Sequence, residues 1–434
     1  MFQKVVTRFA PSPTGKFHVG GIRSALYNYL YARKKGGRFI VRCEDTDKER
    51  SKKEYEEYFL EVFKWLGLNY DEYYRQSDRT NIYKKYLEKL IQENKAYVSK
   101  EEIKKAGDRS EVIRFKNPNK IINFHDEVLG DLSFDTTESK DFIIARDLET
   151  PLFNFTNVID DFEMGVTHVI RGQEHVSNTP RQILIGEAIG APGLIYAHCS
   201  IILNKDRAKL SKRDPMVAPA LECREQGYLP EAILNFMSLL GWNPGTEQEI
   251  FTLKELIEVF SLERMQKQGA IFNPEKLDWI NKEHIKKLSS EEIQIKILEY
   301  LPEAFRNQKI VPIIFERISK WGDVKEMVAK GELDFFFKPP IVSKEKLIYK
   351  NSSPEKITKN LKLAIQALEV IDNFTEENIK NSLMVLANSL ETRGELLHPI
   401  RFALSGLDKS PDPFLIASII GKNETLSRLQ KAIS

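Results

Sequence analysis

VVTRFAPSPTGKFHVGGIRSALYNYLYARKKGGRFIVRC, residues 5–43, is the stretch that decides the fold. Residues 5–9 are β-branched and aromatic, and the Pro11-Ser12-Pro13-Thr14-Gly15 run behind them is turn-forming. Over residues 22–33, Ala25, Leu26, Tyr29 and Leu30 recur at spacings of three and four, as a helix with one buried face requires. Lys34-Lys35-Gly36-Gly37 stops that helix, because glycine can supply the left-handed cap. A strand over residues 39–43 follows at once. Strand, loop, helix and strand within about forty residues form the opening unit of a parallel sheet of the nucleotide-binding type.

The same style returns in THVIR, residues 167–171, and IYAHCSIIL, residues 195–203. Between the opening unit and these returning strands, residues 79–151 open with a lysine-rich helical stretch and alternate short strands, among them 112–115 and 142–145, with polar turns. The pattern predicts a separate α+β insertion. From about residue 229 onward β-rich runs become rare, and helical periodicity dominates, as over residues 357–370 and 415–433.

A chain of 434 residues has a prior of about three domains. Its 65 basic and 63 acidic residues leave a formal net charge of +2. That excludes a strongly basic tail as the means of holding nucleic acid, though not a local basic face. Cys43, Cys199 and Cys223 lie too far apart for a zinc ligand pair or a disulfide framework, and read as small hydrophobes. The first residues contain no apolar run of signal-peptide or membrane-span length, so the expectation is a cytoplasmic protein with no membrane partner.

The chemistry begins at SPTGKFHVGG, residues 12–21, where His18 and the adjacent Gly20 and Gly21 sit at the junction of a strand loop and a helix N-terminus. Exposed amides and the positive end of the helix dipole suit a phosphate, and His18 can donate to developing phosphate charge. A glycine-rich helix entry with a satisfied histidine is an equally good reading of this stretch alone, which is neither a Walker P-loop nor a GxGxxG fingerprint. The second element is Lys209-Leu210-Ser211-Lys212-Arg213. By itself it reads as a solvated loop. Together the two elements make the halves of a clamp for a triphosphate that releases pyrophosphate.

With these residues the sequence resembles the class I aminoacyl-tRNA synthetases, HVGG at 18–21 standing for their HIGH motif and KLSKR at 209–213 for KMSKS. More narrowly it resembles the bacterial-type glutamyl-tRNA synthetase family, through RFAPSPTG at 8–15, RCEDTD at 42–47, VIRG at 169–172, NTPRQ at 178–182 and RGELL at 393–397. The motifs span nearly the whole chain in family order.

The resemblance implies activation of L-glutamate by ATP with Mg2+ to glutamyl adenylate, then transfer to the 3′-terminal adenosine of tRNA(Glu), with tRNA(Gln) as an additional or alternative acceptor. It implies a Rossmann-like α/β catalytic domain (1–80 and 156–205) split by an α+β acceptor-end binding insertion (81–155). A stem-contact domain carrying the KLSKR loop (206–288) and an all-α anticodon-binding region (289–434) follow, in a chain expected to be a monomer. In the catalytic and ATP sites the matching residues are His18, Gly20, Gly21, Glu174, His175, Lys209, Leu210 and Lys212. Around glutamate they are Arg8, Ala10, Ser12, Glu44, Phe153, Asn157 and Arg171. Arg8 and Arg171 look like carboxylate clamps, which suits the planar guanidinium fork, and Glu44 matches the acid that receives the α-amino group.

The chain departs from the family pattern in several places. Phe153 stands where a tyrosine is common, Gln173-Glu174-His175 replaces Glu-Asp-His, and His398 stands where tryptophan is common, read here as packing. Between Tyr97 and Ile113 the chain is shortened and carries no cysteine, so neither zinc nor any other protein-held metal is expected. Lysines at 276, 282, 286, 287, 356, 359 and 362 are candidate phosphate contacts, although solvated lysines are the commoner case, and Phe335, Phe336 and Phe337 read as core. Three rivals compete with the main reading. A glutamyl-queuosine type paralogue would lack the long helical half, a small-molecule nucleotidyltransferase would not need this length, and a non-catalytic tRNA-binding paralogue would not need His18, Lys209 and Lys212.

Overall fold

The computed structural model describes residues 4–103, 110–210, 219–350 and 352–434. It forms two compact units, Met1–Ile285 and Lys286–Ser434. The first unit begins with β1 (Val6–Phe9), α1 (Val19–Lys34), β2 (Arg38–Cys43), α2 (Lys53–Leu66), β3 (Glu72–Arg75) and α3 (Thr80–Gln92). Five strands follow, β4 (Ala96–Lys100), β5 (Glu111–Phe115), β6 (Ile121–Asp126), β7 (Gly130–Asp135) and β8 (Phe142–Ala145). Next come α4 (Phe153–Glu163), β9 (His168–Gly172), α5 (Thr179–Ile189), β10 (Ile195–Cys199) and β11 (Ile202–Leu203). The unit closes with α6 (Ala220–Glu225), α7 (Pro230–Leu239), α8 (Leu253–Val259), β12 (Ala270–Ile271) and α9 (Pro274–Ile285).

Seven strands share one sheet in the order β3-β2-β1-β9-β10-β6-β7, parallel except for the final β6-β7 pair. Phe39, Ile40 and Val41 are buried in succession, as befits a strand covered on both faces. Helix α1 lies on the sheet through Ala25, Leu26 and Leu30, and its buried Asn28 ties it down by donating to the Ile170 carbonyl at 2.8 Å and accepting from the Thr7 hydroxyl at 2.9 Å through its own carbonyl. The chain runs from β1 toward β2 and β3 on one side and from β9 toward β10 on the other. Strands β1 and β9 therefore flank the point where strand order reverses, and a crevice forms there at their carboxyl ends.

The structure revises three expectations. The segment expected as a separate insertion is only partly separate: β4, β5 and β8 make a small sheet of their own, but β6 and β7 extend the main sheet beyond β10. Phe124 of β6 stacks on Phe134 of β7 and meets Tyr196 of β10, so the hairpin covers an otherwise bare apolar sheet edge. The single strand expected over 195–203 is two, because the Ser200 carbonyl accepts from buried Arg23, after which β11 pairs with β12 in another sheet. The helix expected over 415–433 breaks at Gly421, whose φ of 83° and ψ of 166° only glycine adopts readily.

Residues 219–285 share the first unit's main core. Tyr27 of α1 donates to the Leu240 carbonyl at 2.9 Å, and Trp242, Phe251 and Phe260 pack in the same cluster. The second unit holds α10 (Ser290–Tyr300), α11 (Val311–Arg317), α12 (Gly322–Ala329), α13 (Pro354–Glu369), α14 (Glu376–Asn388), α15 (Gly394–Ser405), α16 (Pro413–Ile420) and α17 (Lys422–Ile433). Helix α13 packs on α14, α15 and α17. Phe335 and Phe336 are buried, and Phe337 lies against Phe305. No helix among the described residues is long and apolar enough to cross a membrane.

Candidate active site

Four parallel strands carry one motif on one sheet face. Side chains alternate faces along a strand, so Val6-Thr7-Arg8, Ile40-Val41-Arg42, Val169-Ile170-Arg171 and Tyr196-Ala197-His198 each place an apolar and then a polar group on the same face. Val6, Ile40, Val169 and Tyr196 form one apolar cluster. Arg8, Arg42, Arg171 and His198 continue that face toward the carboxyl ends, all buried. A cavity of about 540 Å³ opens there, lined by Arg8, Ala10, Ser12, His18, Gly20, Gly21, Glu44, Phe153, Asn157, Arg171, Glu174, His175, Lys209 and Leu210 among others. Every expected site residue but Lys212 lies on it. Lys212 falls outside the described residues.

Two of these arginines are tied to carboxylates. Arg42, fully buried, donates to Asp161 at 2.7 Å and to Glu44 at 3.1 Å, and lies 3.6 Å from Asp160. Burial opposes its charge, but the three carboxylates outweigh that and hold it firmly protonated. Arg8 donates its Nε to both oxygens of Asp161, at 3.1 and 3.3 Å, and its terminal nitrogens make no hydrogen bond among the described residues. Burial works against the Asp161 carboxylate too, yet Arg8 and Arg42 keep it below the usual range.

Arg171 differs. Its partners are all neutral: His198 Nε2 accepts from its Nε at 3.1 Å, Thr179 Oγ1 from its Nη2 at 2.8 Å and the His175 carbonyl from the same nitrogen at 3.4 Å. No carboxylate pairs with it among the described residues. Burial, followed by repulsion from Arg8, pulls its pKa down to about 10. A buried cation facing a cavity in this state is a receptor for an anion.

Glu44 lies across the cavity floor. Its Oε1 accepts from Arg42 and, at 3.0 Å, from Asn157, while its Oε2 makes no hydrogen bond among the described residues. Burial raises its pKa and Arg42 offsets part of that rise. Asn157 thus orients Glu44 as well as lining the pocket. Phe153 packs on His175, ring centroids 5.6 Å apart, and burial, then Arg171, lowers His175 to about 4, leaving a neutral imidazole.

At the other end of the cavity His18 takes the N-cap position of α1 with an extended backbone. Gly20 has the His18 ring beside it, and Gly21 is glycine because a Cβ would stand 2.3 Å from the Phe17 ring. At Gly172 the Glu174 carboxyl lies close over the backbone, where a Cβ would meet it at 2.3 Å and turn it aside. Lys209 returns to the cavity through a tight turn in which Asn204 Oδ1 accepts from the amides of Asp206 and Ala208, and Leu210 donates its amide to Ile202 at 2.9 Å. Cys43 and Cys199 are buried and Cys223 partly so, and burial pushes the thiols of Cys43 and Cys199 up to about 12 and 11. Among the described residues, no group of three or more His, Cys, Asp or Glu side chains is arranged to hold a metal ion.

Sequence reasoning missed Arg42, Asp160, Asp161, Thr179, His198 and Asp126 as parts of this centre. Asp160 accepts from Gln76, Arg79 and Tyr83 at 2.7 to 2.9 Å. The signal was present: Thr156, Asn157, Asp160 and Asp161 put a run of polar groups at helical spacing in α4, all of them buried, and the apolar-x-Arg pattern recurs in three strands.

A parallel sheet with its crevice at the strand-order reversal, a histidine at a glycine-rich helix start and a lysine turn beside it define a nucleotide-dependent catalytic domain of class I type. Residues 4–106 and 99–279 match the family described as tRNA synthetases class I (E and Q), catalytic domain, and residues 262–433 match an anticodon binding domain. The glutamate–tRNA ligase 2 of Thermoanaerobacter pseudethanolicus is 38% identical, with 99% of this chain and 98% of that one aligned, and the glutamate–tRNA ligase of Clostridium botulinum strain Hall is 40% identical over 100% and 99%. A crystal structure of a glutamate tRNA ligase from Elizabethkingia meningosepticum, in complex with its amino acid, superimposes with a TM-score of 0.88 at 32% identity, covering 99% of both chains. The chain belongs to the glutamate–tRNA ligase family.

Proposed function

We propose that this protein activates L-glutamate with ATP and transfers it to the 3′ end of tRNA(Glu), with tRNA(Gln) as the alternative or additional acceptor. One observation carries the amino-acid reading: Arg171, a buried cation with no carboxylate partner among the described residues, faces a cavity floored by the half-satisfied carboxylate of Glu44. The two carboxylates of glutamate suit Arg171 and the free fork of Arg8, and its ammonium suits Oε2 of Glu44. Ala10, Ser12, Phe153 and Asn157 complete that end of the pocket.

In the first step a carboxylate oxygen of glutamate forms a bond to the α-phosphorus of ATP while the bond to the β-phosphate bridging oxygen breaks, releasing pyrophosphate. In the second, a ribose hydroxyl of the terminal adenosine attacks the acyl carbon, AMP leaves and the hydroxyl proton is lost. No protein nucleophile is required. His18, the backbone at Gly20 and Gly21, Glu174, His175 and Leu210 bind and orient ATP, and Lys209 and Lys212 stabilise charge on the phosphates. Magnesium, carried mainly on the ATP phosphates, would add its own charge neutralisation there. Residues 81–155 as the acceptor-end binding region, 206–288 as the stem-contact region and 289–434 as the anticodon-binding region of a monomer complete the assignment.

The test is aminoacylation with labelled glutamate, ATP and magnesium on purified tRNA(Glu) and tRNA(Gln) in parallel, with glutamine as the control amino acid. Glutamate charging of tRNA(Glu) is the expected result, and the tRNA(Gln) lane decides the acceptor range. No charging of either would overturn the reading. Substituting Lys212→Ala should slow pyrophosphate exchange by about 10²-fold with little change in thermal midpoint, and an unchanged rate would remove Lys212 from the phosphate clamp.

A further inference from the structure

Three side chains form a row across the face of the main sheet. Arg171 on β9 and His198 on β10 are register partners, and Asp126 on β6 pairs in register with Tyr196, two residues before His198 and on the same face. Asp126 Oδ2 lies 2.6 Å from His198 Nδ1, and His198 Nε2 accepts from Arg171 Nε at 3.1 Å. Asp126 and His198 are both completely buried. An arginine Nε–H can only donate, so Nε2 carries the lone pair and Nδ1 the proton, directed at the carboxylate. Asp126 is itself pinned: Oδ1 accepts the amides of Val128 at 3.0 Å and Leu129 at 2.9 Å, in the turn toward β7.

We propose that Asp126 and His198 are positioning residues that aim the Arg171 guanidinium at the substrate carboxylate while leaving its charge unneutralised. The inference rests on the glutamate-binding role given to Arg171 above. Its physical content lies in the contrast with Arg42. A carboxylate placed directly on Arg171, as Asp161 is on Arg42, would orient the guanidinium but would also satisfy it, and a substrate carboxylate would then have to compete. An imidazole between the two supplies a directional acceptor with no charge, and the carboxylate behind it fixes the ring and its tautomer. Thr179 Oγ1 provides the second neutral acceptor. The strand that carries Asp126 comes from the segment that otherwise reads as an insertion, so that hairpin completes the amino-acid pocket as well as the sheet.

The decisive variant is Asp126→Asn. Its Oδ1 can keep the two turn amides, but its amide nitrogen donates toward Nδ1 and forces the proton onto Nε2, against the Nε–H of Arg171. The KM for glutamate should rise roughly 10- to 100-fold, with kcat at saturating glutamate, the KM for ATP and the thermal midpoint each close to wild type. His198→Gln, which can still present an oxygen to Arg171, should recover part of what His198→Leu loses. In an Arg171→Lys background, Asp126→Asn should add less than about a twofold change, because the relay acts through the guanidinium. An unchanged glutamate KM in Asp126→Asn, an equal rise in the KM for ATP, or an undiminished effect in the Arg171→Lys background would overturn the proposal. Nitrogen-15 imidazole NMR of the unliganded full chain tests it independently of catalysis: wild-type His198 should be the Nδ1–H tautomer and Asp126→Asn should invert it. A wild-type Nε2–H tautomer would end the relay even in an enzyme that charges tRNA, whereas failure to charge with the expected tautomer intact would count against the glutamate reading alone.

Discussion

The two units solve the problem of stability with opposite materials. Among the described residues, the helical unit buries two charged side chains, Glu395 and Arg428, and Arg428 is satisfied by the carbonyls of Phe335 and Leu404 at 2.6 and 2.7 Å. The catalytic unit buries Arg8, Arg23, Arg42, Arg171, Glu44, Glu56, Asp126, Asp160 and Asp161. Removing so many charges from water is costly, and an apolar core of equal volume would generally serve stability as well or better. The difference teaches where selection acted for function: Arg8, Arg23, Glu44 and Arg171 all line the cavity. Among the described residues the pairing leaves Arg23 and Arg171 without a carboxylate, Arg23 being met by the Ser200 and Leu240 carbonyls and Arg171 by neutral side chains and a carbonyl at the amino-acid end of the pocket.

Four substitutions or conditions would break or sharpen that contrast. The largest expected effect is on the fully paired side. Asp160→Ala takes the carboxylate from Arg79 and removes the acceptor of Gln76 and Tyr83, while Arg42 keeps Asp161 and Glu44, so the unfolding free energy from urea titration should drop by about 3–5 kcal/mol. A loss below about 1 kcal/mol would mean that the network does not hold the fold.

On the unpaired side the sign reverses. Arg171→Leu should lower glutamate-dependent pyrophosphate exchange by at least about 10²-fold, while the thermal midpoint stays level or rises, since an uncompensated buried cation leaves the core. A lowered midpoint would make Arg171 a structural residue like Arg42.

Acid should separate the units. Burial lowers His168 and His175 from 6.5 to about 4 in the folded chain. Between these values the unfolded chain binds protons that the folded chain refuses, so stability rises with pH across the window and is lost as pH falls from about 6.5 toward 4, by up to about 1.4 kcal/mol per pH unit for each histidine. Hydrogen exchange at pH 7 and pH 5 should show protection falling within residues 1–285, while residues 286–434, with no buried histidine among those described, change little. Equal loss in both units would refute the assignment.

The smallest effect is local. Ser353 caps α13 by accepting from the Lys356 amide, and Ser353→Ala should cost about 1 kcal/mol. Equilibrium unfolding would measure it, with glutamate-dependent pyrophosphate exchange unaltered.

Much of the first unit was legible because its signals are local. The strand, loop and helix over residues 5–43 follow from apolar spacing and turn chemistry, and His18, Gly20 and Gly21 come with them. Phe335 and Phe336 proved to be core, as read. Less legible was the separateness of the insertion, because the pairing of β6 with β10 joins Asp126 to Tyr196 across a long stretch of sequence and leaves no periodic trace. The break at Gly421 was readable in principle, but the apolar positions on both sides continued the pattern across it.

The sequence by itself determined which residue types stand at the ends of the strands: Arg8, Arg42 and Arg171 each follow an apolar residue by two, so the pleat alone puts them on one face. It also determined the glycines that let Phe17 and Glu174 fold close against the backbone. Only the tertiary structure decided that Arg42 is saturated and Arg171 is not. That outcome depends on Asp160 and Asp161 arriving from α4, and on His198 and Asp126 arriving from β10 and β6. Ion pairing falls off with distance in space, and the distances between groups far apart in the chain are set by how strands and helices pack, which no local pattern encodes.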